Sequence, residues 1–108
     1  MESAITKTKK LLLKHVSDES QIYITGYDYL VVAGWVTLDE HLGINFKYDE
    51  VTRDANIRIE YNTTKFDIDA YIINGKYDYS KFCRVLEDTI ISYRNYEKKK
   101  FLKMVLGL

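Results

Sequence analysis

The spacing of apolar residues changes twice along the chain, from helical to strand-like and back to helical. Over residues 3–16, Ile5, Leu12 and Val16 recur at helical spacing, and four lysines lie among the other positions. One apolar stripe on an otherwise polar segment is typical of a helix that packs against a core. The pattern therefore predicts a first helix from Ser3 to Val16.

Between residues 21 and 73, apolar residues recur at every second position, which places their side chains on one face of a strand. Residues 29–38 are nearly continuous in apolar character, as in a strand covered on both faces or one that presents a partner surface. Turn-forming residues separate these runs. The pattern predicts five strands, at residues 22–24, 30–38, 44–48, 57–61 and 66–72.

The last third of the chain returns to a helical pattern, which Asp78 or Ser80 is placed to cap. A helix that continued unbroken from Tyr79 to Leu106 would be about 42 Å long. That length exceeds the diameter of about 34 Å expected for a compact domain of this size. The apolar stripe of this helix consists of Tyr79, Phe82, Leu86, Ile90 and Tyr93.

The overhanging end of such a helix would expose the apolar tail at residues 101–108. A symmetric homodimer is the commonest way to bury such a segment, and it would use Tyr93, Phe101, Met104 and Val105. The alternative is a break within residues 94–100 that folds the tail back onto the first helix.

The connections between the predicted strands are short, so consecutive strands are expected to pair as an antiparallel meander. No linker-like stretch interrupts the 108 residues, which predicts a single domain over residues 1–108. The expected fold is α+β with two layers: a five-stranded antiparallel sheet, with an N-terminal helix and a long C-terminal helix on one face. The register that aligns the apolar rows places Val36 opposite Phe46 and Glu60 opposite Asp67.

The outward positions of this sheet carry aromatic residues that a two-layer fold leaves exposed to water. Contiguous exposed aromatic surface usually marks an interaction site, and Trp, Tyr and Arg are enriched at binding hot spots. The alternative is that these residue types simply suit strands and that nothing binds there. The predicted partner-binding residues are Tyr23, Tyr29, Trp35, Lys47, Arg58, Glu60, Asp67, Asp69 and Tyr71, with Ile73 on the same face.

Three carboxylates on this face, Glu60, Asp67 and Asp69, are expected to lie close together. Carboxylates in such a group can hold Mg²⁺, which would be compatible with a metal-dependent nuclease. A cross-strand salt bridge between Asp69 and Arg58, with Asp67 solvated, is the simpler interpretation. The same carboxylates could also receive Arg or Lys residues of a partner protein.

Common catalytic motifs are missing, including GxGxxG, GxxxxGK[ST], GxSxG and HExxH. Two histidines, His15 and His41, and the single Cys83 do not form a zinc-ligand pattern. We therefore expect no enzymatic activity, no cofactor and no metal. One cysteine and a start without a signal-peptide core favour a reducing, cytoplasmic location and no membrane association.

Sixteen basic and sixteen acidic residues give zero net charge, which argues against a wholly basic nucleic-acid binder. The charge is distributed unevenly, because residues 39–69 hold eight acids and four bases. Lys7, Lys9, Lys10 and residues 98–100 make both ends basic, so nucleic-acid binding by the helical ends is an alternative. A pair of solvated lysine-rich helix faces is the simpler interpretation.

The combined features favour a small, non-catalytic protein-binding module, cytoplasmic and homodimeric. A short chain with ten tyrosines, many charges and no catalytic motif resembles in style the phage-encoded inhibitors of bacterial defence proteins and the immunity-type proteins. Such a module would act by occluding a partner surface. The alternatives are a nucleic-acid-binding protein that uses the basic ends and a metal-dependent nuclease.

Overall fold

The computed structural model describes residues 3–16, 18–27, 30–65, 67–95 and 103. The elements in chain order are α1 (Ala4–Leu13), a single 3-10 turn (Glu19–Gln21), β1 (Ile22–Tyr27), β2 (Val31–Thr37), β3 (Leu42–Asp49), β4 (Asp54–Asn62), β5 (Asp67–Lys76) and α2 (Tyr79–Asn95).

The five strands form one sheet in the order β1-β2-β3-β4-β5, and all neighbouring strands are antiparallel. Both helices pack on the same face of this sheet, where Leu12, Phe82, Leu86 and Ile90 are fully buried. The predicted two-layer α+β fold, with its meander and its two helices on one face, is confirmed. The strand residues of the core are Val32, Val36, Leu42, Ile44, Phe46, Tyr48, Ala55, Ile57 and Ile59.

Helix α1 begins at a Ser3 cap, whose Oγ accepts a hydrogen bond from the backbone N–H of Thr6 at 3.2 Å. The helix ends at Leu13, three residues before the predicted Val16. Its buried face is tied to α2 by the Tyr79 hydroxyl, which donates to the carbonyl oxygen of Ala4 at 3.2 Å and lies 2.7 Å from Thr8 Oγ1. Two polar groups are thereby satisfied inside the helix layer.

Helix α2 is capped by Asp78, whose carboxylate accepts from the backbone N–H of Lys81 at 2.7 Å, as one of the two predicted caps. The half-buried Tyr93 donates to Asp39 Oδ2 at 2.9 Å, which fixes the far end of α2 to the β2–β3 turn. The predicted continuation of this helix to Leu106 lies outside the described residues. The predicted dimerisation residues Phe101, Met104 and Val105 lie outside them as well.

The strand registers of β2–β3 and β3–β4 each differ from the prediction by two residues. The turns between these strands are tighter than predicted, because side chains in the turns bond to the backbone. Val36 lies opposite Ile44 instead of Phe46. The Asp39 carboxylate accepts from two backbone N–H groups in the β2–β3 turn, and Asp49 does the same in the β3–β4 turn. A shift of two residues keeps every side chain on its predicted face, since the side-chain period of a strand is two.

A β-bulge in β5 changes the face on which one predicted residue lies. Ile57 pairs with Ile73 and the next residue, Arg58, pairs with Tyr71, so Ile72 is the extra residue. Beyond the bulge, Ile73 packs against the core. The prediction that Ile73 faces outward is therefore wrong, because the bulge inverts the alternation of the strand at this point.

Gly34 is expected to be intolerant of a side chain, because β1 passes directly beside it. A Cβ atom at this position would collide with the carbonyl oxygen of Tyr23 and lie 3.0 Å from the Phe46 ring. We expect Gly34→Ala to lower the free energy of unfolding by about 1–3 kcal/mol through overpacking. Urea denaturation measures this difference.

The matched control is Gly75→Ala, since a Cβ there meets only Tyr77 Cε2 at 3.5 Å, an ordinary contact. Its effect on the free energy of unfolding should stay within about 0.5 kcal/mol. Equal urea midpoints for the two variants would contradict the predicted close approach at Gly34.

Candidate functional site: the outer face of the sheet

The sheet face opposite the helices carries one continuous row of large and polar side chains across all five strands. Tyr23, Trp35, Asn45, Arg58 and Tyr71 are successive cross-strand neighbours, and we call these five residues the central row. Its three aromatic residues keep about half of their surface exposed: 50% for Tyr23, 47% for Trp35 and 55% for Tyr71. The central row is therefore an exposed aromatic and polar surface on a rigid scaffold.

Two of these aromatic side chains are already ordered against each other. The Tyr23 and Trp35 rings are stacked, with centroids 4.3 Å apart and an interplanar angle of 17°. Stacked pairs of this kind contribute about 0.5–1.5 kcal/mol beyond their buried area. A partner that contacts this pair does not have to order either ring, so little side-chain entropy is lost on binding.

Arg58 is the cationic residue of the central row, and only part of its guanidinium has a hydrogen-bond partner among the described residues. Its guanidinium donates to Glu60 Oε1 at 2.6 Å, and both side chains are about one-third exposed. The Nε atom of Arg58 is buried and has no hydrogen-bond partner among the described residues. A buried donor without an acceptor typically costs about 1–3 kcal/mol. Because this Nε atom is enclosed, a ligand that approaches from solvent can contact only the outer nitrogens of the guanidinium.

The three predicted carboxylates are arranged differently from the prediction. Glu60 pairs across the strands with Asp69, and Asp67 pairs with Asn62, so the predicted Glu60–Asp67 pairing is wrong. Arg58 bonds to Glu60 within the same strand and not to Asp69. The cause is the register of β4 and β5, which differs by two residues from the predicted one.

In the part of the chain that the structure describes, side chains are not arranged to bind a metal ion. Within those residues, no group of three or more His, Cys, Asp or Glu side chains is placed to hold a metal ion. Asp67 and Asp69 are exposed on the outer face near the edge of the sheet. Their position is compatible with contacts to a cationic partner group.

Three cavities adjoin along the outward side of β3 and form what we call the outer groove. The first, of about 250 Å³, lies over Gly43 beside Trp35, and the second, of about 310 Å³, lies between Ala33 and Tyr71. The third, of about 300 Å³, lies over Asp49 at the opposite end. The first two share Asn45 as a lining residue, and the last two share Lys47 and Asn56.

At the end near the β2–β3 turn, the outer groove lies over short side chains of β3, between taller neighbours. Gly43 and Asn45 form its floor, while Trp35 stands on the β2 side and Arg58 and Tyr71 stand on the β4–β5 side. The alternation of residues along the sequence did not predict this groove.

Charge alternates along the outer groove. Glu40 and Glu60 line the end at the β2–β3 turn, and Asp49 and Asp54 line the opposite end. The cationic Arg58 and Lys47 line the middle, and Lys47 is exposed. Lys76 bonds to Asp54 at 2.9 Å, and this contact lowers the pKa of the Asp54 carboxyl. Asp54 is therefore anionic at neutral pH.

The structure brings most of the predicted partner-binding residues to one surface. Trp35, Lys47, Arg58, Glu60 and Tyr71 line the outer groove. Tyr23 is stacked on Trp35, and Asp67 and Asp69 lie beside the groove on β5. Tyr29 lies outside the described residues.

Four asparagines belong to the same surface and were not predicted from the sequence. Asn45, Asn56, Asn62 and Asn74 all line the outer groove. Asn56 Nδ2 donates to Asn74 Oδ1 at 2.9 Å across β4 and β5. The signal in the sequence was the recurrence of asparagine at outward positions of β3, β4 and β5, since asparagine is otherwise disfavoured in strands.

Two of the predicted basic residues of α1 have contacts within the molecule. Lys9 Nζ lies 3.0 Å from Glu19 Oε1, and Lys7 Nζ lies 5.5 Å from the centroid of the Tyr79 ring. Residues 98–100, the other half of the predicted basic surface, lie outside the described residues. The half-buried Cys83 lies on α2, and burial raises the pKa of its thiol. The helix-covered side therefore has fewer features of a binding site than the outer face has.

Comparisons with protein-family models, with curated proteins and with solved structures give no match for this chain. Among the described helices, none has both the length and the apolar character needed to cross a membrane. The functional interpretation therefore rests on the outer face itself.

Proposed function

We propose that this protein is a small, non-catalytic protein-binding module that covers a surface of its partner with the outer face of its sheet. The observation that carries the proposal is the central row, in which Tyr23, Trp35 and Tyr71 each stay about half exposed on the face opposite α1 and α2. Exposed aromatics grouped on one rigid surface typically serve as contacts for another molecule.

The charge of the outer face favours a protein over a nucleic acid. Five carboxylates line the outer groove, namely Asp39, Glu40, Asp49, Asp54 and Glu60, against the two cations Lys47 and Arg58. Single-stranded nucleic acids require a positively charged groove beside the stacking aromatics. An acidic groove repels a phosphate backbone, whereas the mixed charges suit a protein surface.

Occlusion is the mode of action that this geometry supports. A sheet face is rigid, and binding through it blocks a partner surface without any chemical step. An inhibitor of a host defence protein or an immunity-type protein would act in this way. The cytoplasmic location and the homodimer remain part of the proposal.

Capture of a partner from a nuclease-treated bacterial lysate at moderate salt tests the proposal. We expect the wild-type chain to retain a protein at equal stoichiometry. The double variant Trp35→Ala, Tyr71→Ala should lose it, because both anchors of the central row are removed. The control double variant Leu13→Ala, Ile91→Ala removes exposed apolar side chains from the two helices and should retain the protein.

A partner retained equally by the Trp35→Ala, Tyr71→Ala variant would overturn the assignment of the outer face. Circular dichroism and urea unfolding of each variant separate a lost contact from a lost fold. Recovery of nucleic acid alone, and only when nuclease is omitted, would instead support the basic helical ends.

A further inference from the structure

We propose that the outer groove binds an extended segment of the partner protein along β3, with an acidic side chain at the middle of the segment and basic side chains toward its two ends. This inference rests on the proposed function and specifies the partner's chemistry. It is carried by the length, the amide lining and the charge order of the groove.

The length of the outer groove fits a short extended chain. Its floor runs along β3 from Gly43 to Asp49. Seven residues of a strand span about 20 Å at a rise of about 3.3 Å per residue. A segment of six or seven extended residues therefore matches the length of the whole groove.

The amide lining suits the backbone of an extended segment. An extended chain presents alternating N–H and C=O groups to both sides, and each buried group needs a hydrogen-bond partner. Asn45 lies on the floor, and Asn56 and Asn74 lie on one wall. The Asn56–Asn74 hydrogen bond uses one donor and one acceptor, which leaves the Asn56 carbonyl oxygen and an Asn74 N–H for a ligand.

The charge order of the outer groove specifies the charges of the segment. The exposed Lys47 in the middle favours a carboxylate, and it lies in the same cavity as Arg58, whose guanidinium is paired with Glu60. Glu40 at one end and Asp49 at the other favour Lys or Arg. A segment with the order basic, acidic, basic therefore matches the groove along its length.

Other occupants fit this surface less well. In a second copy packed face to face, the central strand of each sheet would contribute Asn45 and Lys47, whereas the centre of a homodimer interface is usually apolar. The exposed edge of β5 is a poor template for an added strand, because it carries a bulge at Ile72 and the charges of Asp67 and Asp69. The groove over β3 is the better receptor for a polypeptide.

Selection from a random display library of linear nine-residue peptides, with the whole chain immobilised, tests the inference. The wild-type protein should enrich peptides with a central Asp or Glu flanked by Lys or Arg. Lys47→Glu should switch the preferred central residue to Lys or Arg. It should also weaken the best wild-type peptide at least tenfold, measured by fluorescence anisotropy, because an attraction becomes a repulsion.

Lys14→Glu is the matched control, since it makes the same charge change on the helix-covered side. It should leave the peptide affinity within twofold of the wild type. Failure to enrich peptides, enrichment without a central acidic residue, or an affinity unchanged by Lys47→Glu would each overturn the inference.

The two proposals fail in different ways. A captured partner that requires Trp35 and Tyr71, yet is not displaced by the selected peptide, would keep the protein-binding function and remove the extended segment. A captured partner that does not require Trp35 and Tyr71 would remove the outer face as the interface and the groove with it.

Discussion

Trp35→Ala is expected to weaken binding of the captured partner by about 30-fold or more, which corresponds to about 2 kcal/mol, the usual threshold of a hot spot. Trp35 combines the largest exposed ring of the central row with a position on the wall of the outer groove. Its stacked contact with Tyr23 holds it in place before binding. Calorimetric titration of the purified partner measures the change in Kd.

Trp35→Phe is the conservative control, because a phenyl ring preserves part of the stacking with Tyr23. It should recover most of the affinity that Trp35→Ala loses. Ile91→Ala, on the outer side of α2, should leave Kd within twofold. A Trp35→Ala variant that binds within threefold of the wild type would show that the indole is not an anchor.

Phe82→Ala is expected to lower the free energy of unfolding by about 3–5 kcal/mol, as is usual when a buried aromatic ring is truncated. Phe82 is fully buried on α2. Its ring centroid lies 5.1 Å from that of Tyr48, 6.1 Å from that of Tyr79 and 6.3 Å from that of Phe46. The substitution removes contacts with both strand and helix neighbours, and the shift in the urea midpoint reports the loss.

Phe82→Leu keeps most of the apolar volume and should cost clearly less than Phe82→Ala. A loss below about 1 kcal/mol for Phe82→Ala would contradict its place at the centre of the core, since that is the cost of an average substitution. Native small domains have only about 5–15 kcal/mol of stability, so the expected loss is a large part of the total.

The inner packing and the outer site are connected through β3. Phe46 and Tyr48 point into the core, where they contact Phe82, while the alternating residues Asn45 and Lys47 line the outer groove. The Tyr48 hydroxyl also donates to the carbonyl oxygen of Tyr77 at 3.0 Å. The inward side chains of β3 are therefore packed in the core. This packing fixes the strand that forms the floor of the groove, so the groove is preorganised for binding.

The sequence alone determined which residues face the core and which face outward on the three central strands. Val36, Phe46 and Ile59 point inward, and Trp35, Lys47 and Arg58 lie on the outer face, as their alternation predicts. The sequence also predicted the apolar stripe of α2, and its residues Phe82, Leu86 and Ile90 are fully buried. These features follow from the periods of strands and helices, which depend only on local backbone geometry.

Only the tertiary structure decided which residues are cross-strand neighbours. A register shift of two residues leaves the alternation unchanged, so the pattern could not distinguish Glu60 opposite Asp67 from Glu60 opposite Asp69. The pairing of β4 with β5 places Glu60 opposite Asp69, and the turn hydrogen bonds of Asp39 and Asp49 lie at the hairpins whose registers also differ from the prediction.

The outer groove also depends on which residues are cross-strand neighbours. It forms because Gly43 and Asn45 lie beside Trp35 on one strand and Arg58 on another, residues that are separated along the chain. The exposure of single residues follows from local periodicity, whereas the shape and charge order of a groove are set by long-range pairing. The sequence therefore determined the face of the candidate site, and the tertiary structure decided its form.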